Sequence, residues 1–223
     1  MGEVDRPFDV LLLDFGGVCL LNPVELHDHA ERTLGLPSGS FGWLGPIDPS
    51  TDELWREMVA GEGLTERDYW ATRAVEVGRL AGLAFETRDY MELLYVPPRS
   101  ELIRPGAVRA VEAARAAGMG VSVLTNDLAA FHGPSWQHGI DFFALLDEVV
   151  DCSDTGVLKP DPRAYARACE VVGADPGRIL FIDDLPRNVE GAEAAGLVGH
   201  WFDISRAEAA WADVVERLTP SSH

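Results

Sequence analysis

An α/β fold is predicted for this chain: a Rossmann-like parallel sheet with helices on both faces and an α-helical insert after its first strand. Three observations point there. Short apolar runs alternate with helical segments through the second half of the 223 residues. The first apolar run ends on Asp14 and a Gly16-Gly17 turn. Residues 19–98 break the alternation and carry helical patterns alone.

Residues 8–13 (FDVLLL) are short and apolar, as a buried parallel strand requires. The insert follows, with helical patterns near 23–34, 52–60, 65–80 and 87–94, and a Gly/Pro/Ser-rich loop over 36–50. Pro97-Pro98 marks the return to the core. A helix over 105–117 begins with Pro and stops at Gly118. Strands are expected at 120–125, 148–152, 178–183 and 197–202. The helix over 161–172 has Asp161 as its N-cap, Pro in its first turn and Gly173 at its end. Helices over 186–195 and 205–218 complete the chain. The expected division is a core of 1–18 and 99–223 with an inserted domain of 19–98.

The formal net charge of −19 repels nucleic acid and anionic membrane, so neither is an expected partner. No apolar run approaches the roughly 18 residues that span a bilayer, and the N-terminal stretch lacks the basic start and cleavage site of a signal peptide. Three cysteines without metal spacing fit a reducing, cytoplasmic setting. An anionic substrate needs a local positive centre in so acidic a chain. Of the 18 Lys and Arg residues only Lys159 is a lysine, a compact point charge kept where arginine is otherwise the rule.

In open parallel sheets ligands bind beyond the carboxyl ends of the strands. Asp14 closes the first strand, Thr125-Asn126 the second and Asp183-Asp184 the fourth, while Lys159-Pro160 precedes a helix after the third. Taken singly, these are ordinary turn, cap or surface residues. Taken together, they suit phosphoryl transfer. The Asp14 carboxylate is the expected nucleophile. Mg²⁺ takes hard oxygen ligands, here the carboxylates of Asp14 and Asp183 and the backbone carbonyl of Gly16. Thr125 offers a hydroxyl and Asn126 a backbone N–H to the transferring group, and Lys159 offsets the clustered charge. Asp183 is expected to reach the ion directly, with Asp184 supporting a metal-bound water or orienting Lys159.

The segments LLLDFGGV, SVLTN, GVLKPDPRAY and ILFIDDLPRNVEGAEAAG stand in this order. As a set they resemble the haloacid dehalogenase-like hydrolase superfamily. The last two are most similar to the phosphatase branch that includes the N-terminal domain of soluble epoxide hydrolase and certain sugar-phosphate phosphatases. The resemblance covers residues 8–18 and 100–200, and the insert takes the position of that family's helical cap. It implies a Mg²⁺-dependent phosphatase acting on a small phosphorylated metabolite. Phosphatases of this pattern place a second Asp, a general acid and base, two residues after the nucleophile; here that residue is Gly16.

Two other readings stand beside it. A 2-haloacid dehalogenase also lacks the second Asp, but its relatives replace the first acid of the fourth motif, which this chain keeps as Asp183. A non-catalytic binding protein is favoured by Gly16 alone. Trp43, Trp55, Trp70, His27, His29 and Arg32 are candidate cap contacts, with the loop 38–48 the expected contact region. Without an acid at position 16, activity is expected to fall steeply with leaving-group pKa, unless a cap group such as His27 or His29 supplies the proton.

Overall fold

A computed structural model describes residues 6–219. The parts of the expected core at 1–5 and 220–223 lie outside the described residues. Five short strands form one parallel sheet: β1 (Val10–Leu13), β2 (Gly120–Thr125), β3 (Glu148–Asp151), β4 (Ile179–Asp183) and β5 (Val198–Trp201), in the order β3-β2-β1-β4-β5. β1 lies between β2 and β4, with Leu13 beside Val123 on one side and Ile182 on the other. All four β1 residues are buried, as expected for the middle strand of a covered sheet.

Alternation along the strands sorts their side chains onto two faces. Leu11, Leu13, Val121, Val123, Leu180 and Ile182 point to one face, where α6 (Pro105–Ala116) and α10 (Ala207–Leu218) pack. Val10, Leu12, Leu124, Val150, Ile179 and Phe181 point to the other, toward α8 (Pro162–Val172) and α9 (Pro186–Ala194). The helix ends follow the sequence: Asp161 caps α8 by accepting from the Arg163 N–H, and Gly173 ends it in the left-handed conformation.

Between β1 and α6 lie α1 (His27–Leu34), α2 (Glu53–Ala60), α3 (Glu66–Ala81), α4 (Thr87–Leu94) and the one-turn α5 (Arg99–Leu102). The expected helix over 23–34 is split: a 3-10 turn, Pro23–Leu26, capped by Asn22 and Glu25, precedes α1. A short α7 (Leu128–His132) follows β2, a segment for which the sequence pattern is too short to show periodicity. The apolar face beneath α6 and α10 runs on without a break into Trp43, Trp55, Tyr69 and Tyr90 of the helical segment. Among the described residues no helix is long and apolar enough to cross a membrane.

Polar ties fix the helical layer to the sheet. Arg104, just before α6, forks onto Glu25 and donates through Nε to the Gly17 carbonyl at 3.0 Å. Arg67 of α3 pairs with Asp127 beyond β2 at 2.5 Å, and Arg187 of α9 donates to the Met58 carbonyl at 3.1 Å.

One close approach connects packing to the sheet's carboxyl edge. A Cβ at Gly191 in α9 would lie 2.8 Å from Pro160 Cβ and 3.1 Å from the Pro160 carbonyl oxygen. Gly191→Ala should therefore displace the segment that carries Lys159 and destabilise the fold by about 1–3 kcal/mol, read as a lower midpoint in urea denaturation.

Candidate active site

Asp14, Thr125 and Asp183 stand at the carboxyl ends of β1, β2 and β4, because each closes an apolar run whose length carries the chain across the sheet. Lys159 reaches the same edge from the loop between β3 and α8. Lys159 lies at the centre. Its Nζ donates to Asp14 Oδ1 and to Asp183 Oδ2, both at 2.6 Å, and its side chain is 1% exposed. The residues are 145 and 24 positions apart in sequence. Burial alone works against the ammonium charge, but Asp14 and Asp183 outweigh it and hold the Lys159 pKa above its ordinary value. For Asp14, burial is the largest influence and raises the pKa; Lys159 opposes it and Asp183 adds to it.

Asn126 sets the position of Lys159 from below. Its side-chain oxygen accepts from the Lys159 N–H at 2.7 Å and its amide donates to the Lys159 carbonyl at 3.2 Å. This occupies the Asn126 side chain in holding the lysine. Thr125 is buried at the end of β2 and lines the same cavity as Asp14, Gly16 and Lys159.

Asp183 is fully buried, and both its oxygens are engaged. Oδ2 accepts from Lys159, Oδ1 accepts from the Leu185 N–H at 2.9 Å, and the Asn188 amide reaches Oδ1 at 3.0 Å and Oδ2 at 3.2 Å. Asp184, by contrast, lines the cavity beside Gly16, and no side-chain hydrogen bond reaches its carboxylate among the described residues. Its Oδ2 is 3.0 Å from where a Gly17 Cβ would stand. The expectation that Asp184 orients Lys159 is thus corrected: Asp183 does so, because it is the last strand residue and points toward the lysine. Burial raises the Asp184 pKa well above its ordinary value, and the charges of Asp183, Asp14 and Glu66 add to this.

The cavity has about 640 Å³ of free space, part of it open to solvent. Its outer wall comes from the helical segment and is half apolar, with Pro23, Trp70, Met91 and Tyr95. Of the cap contacts read from the sequence, only Trp70 lines it. Trp43 and Trp55 pack with Tyr69 inside the helical layer, and Phe41 and Trp43 cover His27. The loop 38–48 contributes no wall residue. Its aromatics serve packing, which composition alone does not distinguish from ligand contact. His27, His29 and Arg32 do not line the cavity either. The sequence reading missed Glu66, His132 and Asn188. Glu66 looks like an ordinary acid in the first turn of a helix. Asn188, five residues after Asp183, is one helical turn from the strand end, a spacing that was available as a signal.

The donor set fits a divalent cation. Asp14 and Asp184 bring two carboxylates to the cavity wall beside Gly16 and the Lys159 ammonium. Asn188 Oδ1 is a buried acceptor with no partner in the same wall. Among the described residues no three His, Cys, Asp or Glu side chains form a metal site by themselves. Hard-oxygen coordination completed by a backbone carbonyl and waters is the manner of Mg²⁺.

A profile of the haloacid dehalogenase-like hydrolase family matches residues 8–196. Phosphatase MT3486 of Mycobacterium tuberculosis is 36% identical over 183 residues, 80% of this chain and 79% of its own. (S)-2-haloacid dehalogenase 1 of a Pseudomonas species is 28% identical over 161 residues, 69% of this chain and 70% of its own. Among solved structures, the Bacillus subtilis hydrolase YfnB, bound to magnesium, superposes with a TM-score of 0.62 at 19% identity over 85% of this chain and 84% of that one, a likeness of fold.

His27 supplies a measurable consequence of this packing. It is buried with its Nε2 3.2 Å from the Tyr90 hydroxyl, and burial, aided by the Arg73 charge, depresses its pKa to about 3. The unfolded chain takes up a proton near the ordinary value of about 6.5, whereas the folded chain does not. Stability should fall as pH drops from about 6.5 toward 3. His27→Gln should show a smaller loss between pH 7 and pH 4.5 in urea midpoints than the unsubstituted protein.

Proposed function

This chain belongs to the haloacid dehalogenase-like hydrolase family, and on that premise we propose that it is a Mg²⁺-dependent phosphatase acting on a small phosphorylated metabolite. One observation carries the reading: the carboxylates of Asp14 and Asp184 line one cavity with the Lys159 ammonium, which Asp14 shares with the buried Asp183, so acidic groups gather at the place where a nucleophile must meet a dianion. The phosphatase relative supports it. The helical segment 19–98 acts as a cap over a core of 1–18 and 99–223, and the substrate's leaving group lies against it.

In this reading Asp14 attacks phosphorus through the carboxylate oxygen that Lys159 does not hold. Lys159 keeps the carboxylate aimed and balances part of the charge that builds on the transferring group. The Thr125 hydroxyl and the Asn126 backbone N–H bind the phosphoryl oxygens. Asp184, the Gly16 carbonyl and Asp14 hold the metal, which, when bound, screens the repulsion between carboxylate and phosphate. Asp183 takes the positioning role, because its oxygens are already occupied. This assigns the direct contact to Asp184 in place of Asp183. A cytoplasmic setting belongs to the same reading, supported by three free cysteines.

The dehalogenase reading draws support from the Pseudomonas relative and from Gly16. Its chemistry attacks carbon and has no use for the extra carboxylate at Asp184. Metal-independent halide release from 2-haloacids would favour it over phosphate release.

Asp14→Asn should reduce Mg²⁺-dependent phosphate release from a metabolite panel to background in a protein that still folds, with a lowered urea midpoint because Lys159 loses one of its two charged partners. Asp184→Asn should raise the Mg²⁺ concentration for half-maximal rate by about 10–100-fold, measured by titration. Asp183→Asn should instead lower stability and kcat, because it loosens the grip on Lys159.

A further inference from the structure

We propose that Glu66 is the group that protonates the leaving alcohol, a catalytic residue delivered by the helical segment in place of the acid absent at Gly16; this rests on the phosphatase reading above.

The core leaves room for it. A Cβ at Gly16 would meet no atom within 4 Å, so the space next to the nucleophile holds no core side chain in the proton donor's place. Glu66 lines that same cavity together with Asp14, Gly16, Lys159 and Asp184. It is the first residue of α3, and two devices fix where α3 begins. Thr65 and Asp68 form a reciprocal cap, with Asp68 Oδ2 accepting from the Thr65 N–H at 3.1 Å and Thr65 Oγ1 accepting from the Asp68 N–H at 3.2 Å. Arg67 then reaches Asp127 beyond β2 through Nε at 2.7 Å and a terminal nitrogen at 2.5 Å. A residue flanked by these anchors is held on the cavity side of the cap with little freedom to leave it.

The surroundings suit proton transfer. The Trp70 indole donates to Glu66 Oε1 at 3.4 Å, and among the described residues no Lys, Arg or His pairs with the carboxyl group. Its second oxygen is therefore available to a ligand. Burial raises its pKa and the Asp127 charge adds to the rise, while the indole, Lys159 and Arg187 oppose it. A position at the helix N-terminus also tolerates the ionised form, so both states needed in a cycle are accessible.

Other candidates fit less well. Asp127 lines the cavity, but protonating it would strand the Arg67 guanidinium. His132 stacks on Trp136 and meets Tyr95 edge-on, and burial lowers its pKa to about 4, so near neutrality it has no proton to give.

The steps balance. As Asp14 forms its bond to phosphorus, the bond from phosphorus to the ester oxygen breaks, and that oxygen takes the proton of Glu66 and departs as the alcohol. Water then attacks phosphorus of the aspartyl phosphate and gives one proton to the Glu66 carboxylate. Inorganic phosphate leaves and Asp14 is restored.

The test compares kcat/KM for a series of alkyl and substituted aryl phosphates with Mg²⁺ in the parent, Glu66→Gln, Glu66→Asp and Asp127→Asn. Glu66→Gln is expected to lower kcat/KM for alkyl phosphates by about 10²–10³-fold and to affect the most acidic phenol esters at least tenfold less. The dependence on leaving-group pKa should steepen, and Glu66→Asp should recover part of the alkyl rate. A structural role alone would lower all substrates in parallel. Parallel loss, an unchanged slope, or steepening with Asp127→Asn and not with Glu66→Gln overturns the assignment to Glu66. Absence of Mg²⁺-dependent phosphate release by the parent overturns the phosphatase reading and this assignment together.

Discussion

The ammonium of Lys159, shared at 2.6 Å between Asp14 and Asp183, is the interaction on which the carboxyl edge of the sheet depends. Three charged groups are buried there, and in such a setting desolvation opposes every one of them. Removing one partner of a buried pair typically costs about 3–5 kcal/mol, so the position of each is tied to the others. This explains the supporting bonds. Asn126 holds the lysine backbone through two hydrogen bonds, and Leu185 and Asn188 satisfy the remaining demand of Asp183. The sheet order then follows a chemical need: β1 and β4 are neighbours, so Asp14 and Asp183 can share one cation.

The helical segment is fastened to this edge by ion pairs and by apolar packing. The pair between Arg67 and Asp127 is half-exposed at the arginine but buried at the aspartate. The Arg104–Glu25 fork lies against the Gly17 carbonyl, so the turn after Asp14 is tied to the first turn of the helical segment. The continuous apolar cluster beneath both layers limits how far the segment can swing. The wall that the segment gives the cavity has Asn22 and Glu66 as its polar members and is otherwise apolar or aromatic. Such a wall disfavours a second anionic group at the far end of the ligand.

Much of this architecture was legible in the sequence, for definite physical reasons. A parallel strand covered on both faces is a short apolar run, and a carboxylate at its end interrupts the run; residues 10–14 and 179–183 show both. What was not legible depended on direction. Asp183 and Asp184 are adjacent acids in the sequence, but the first still follows strand alternation toward Lys159 and the second, past the strand, turns to the cavity. Glu66 bears the signature of a helix start and reveals its place only once α3 is docked. The aromatic loop 38–48 and His27 share a composition with ligand-binding loops, but Phe41 and Trp43 close over the imidazole and Arg73 lies 4.5 Å from the Trp43 ring. Packing and recognition draw on the same residue types, and tertiary position alone separates them.

Reductive trapping tests the central claim most directly. The protein is mixed with a phosphate ester and Mg²⁺, quenched with borohydride during turnover, digested, and its peptides are analysed by mass spectrometry. An acyl phosphate at Asp14 is reduced to homoserine, so conversion at position 14 that requires both ester and Mg²⁺ is the expected result. Phosphate release with Asp14 unmodified, or conversion at another carboxylate, contradicts the role of Asp14 as nucleophile.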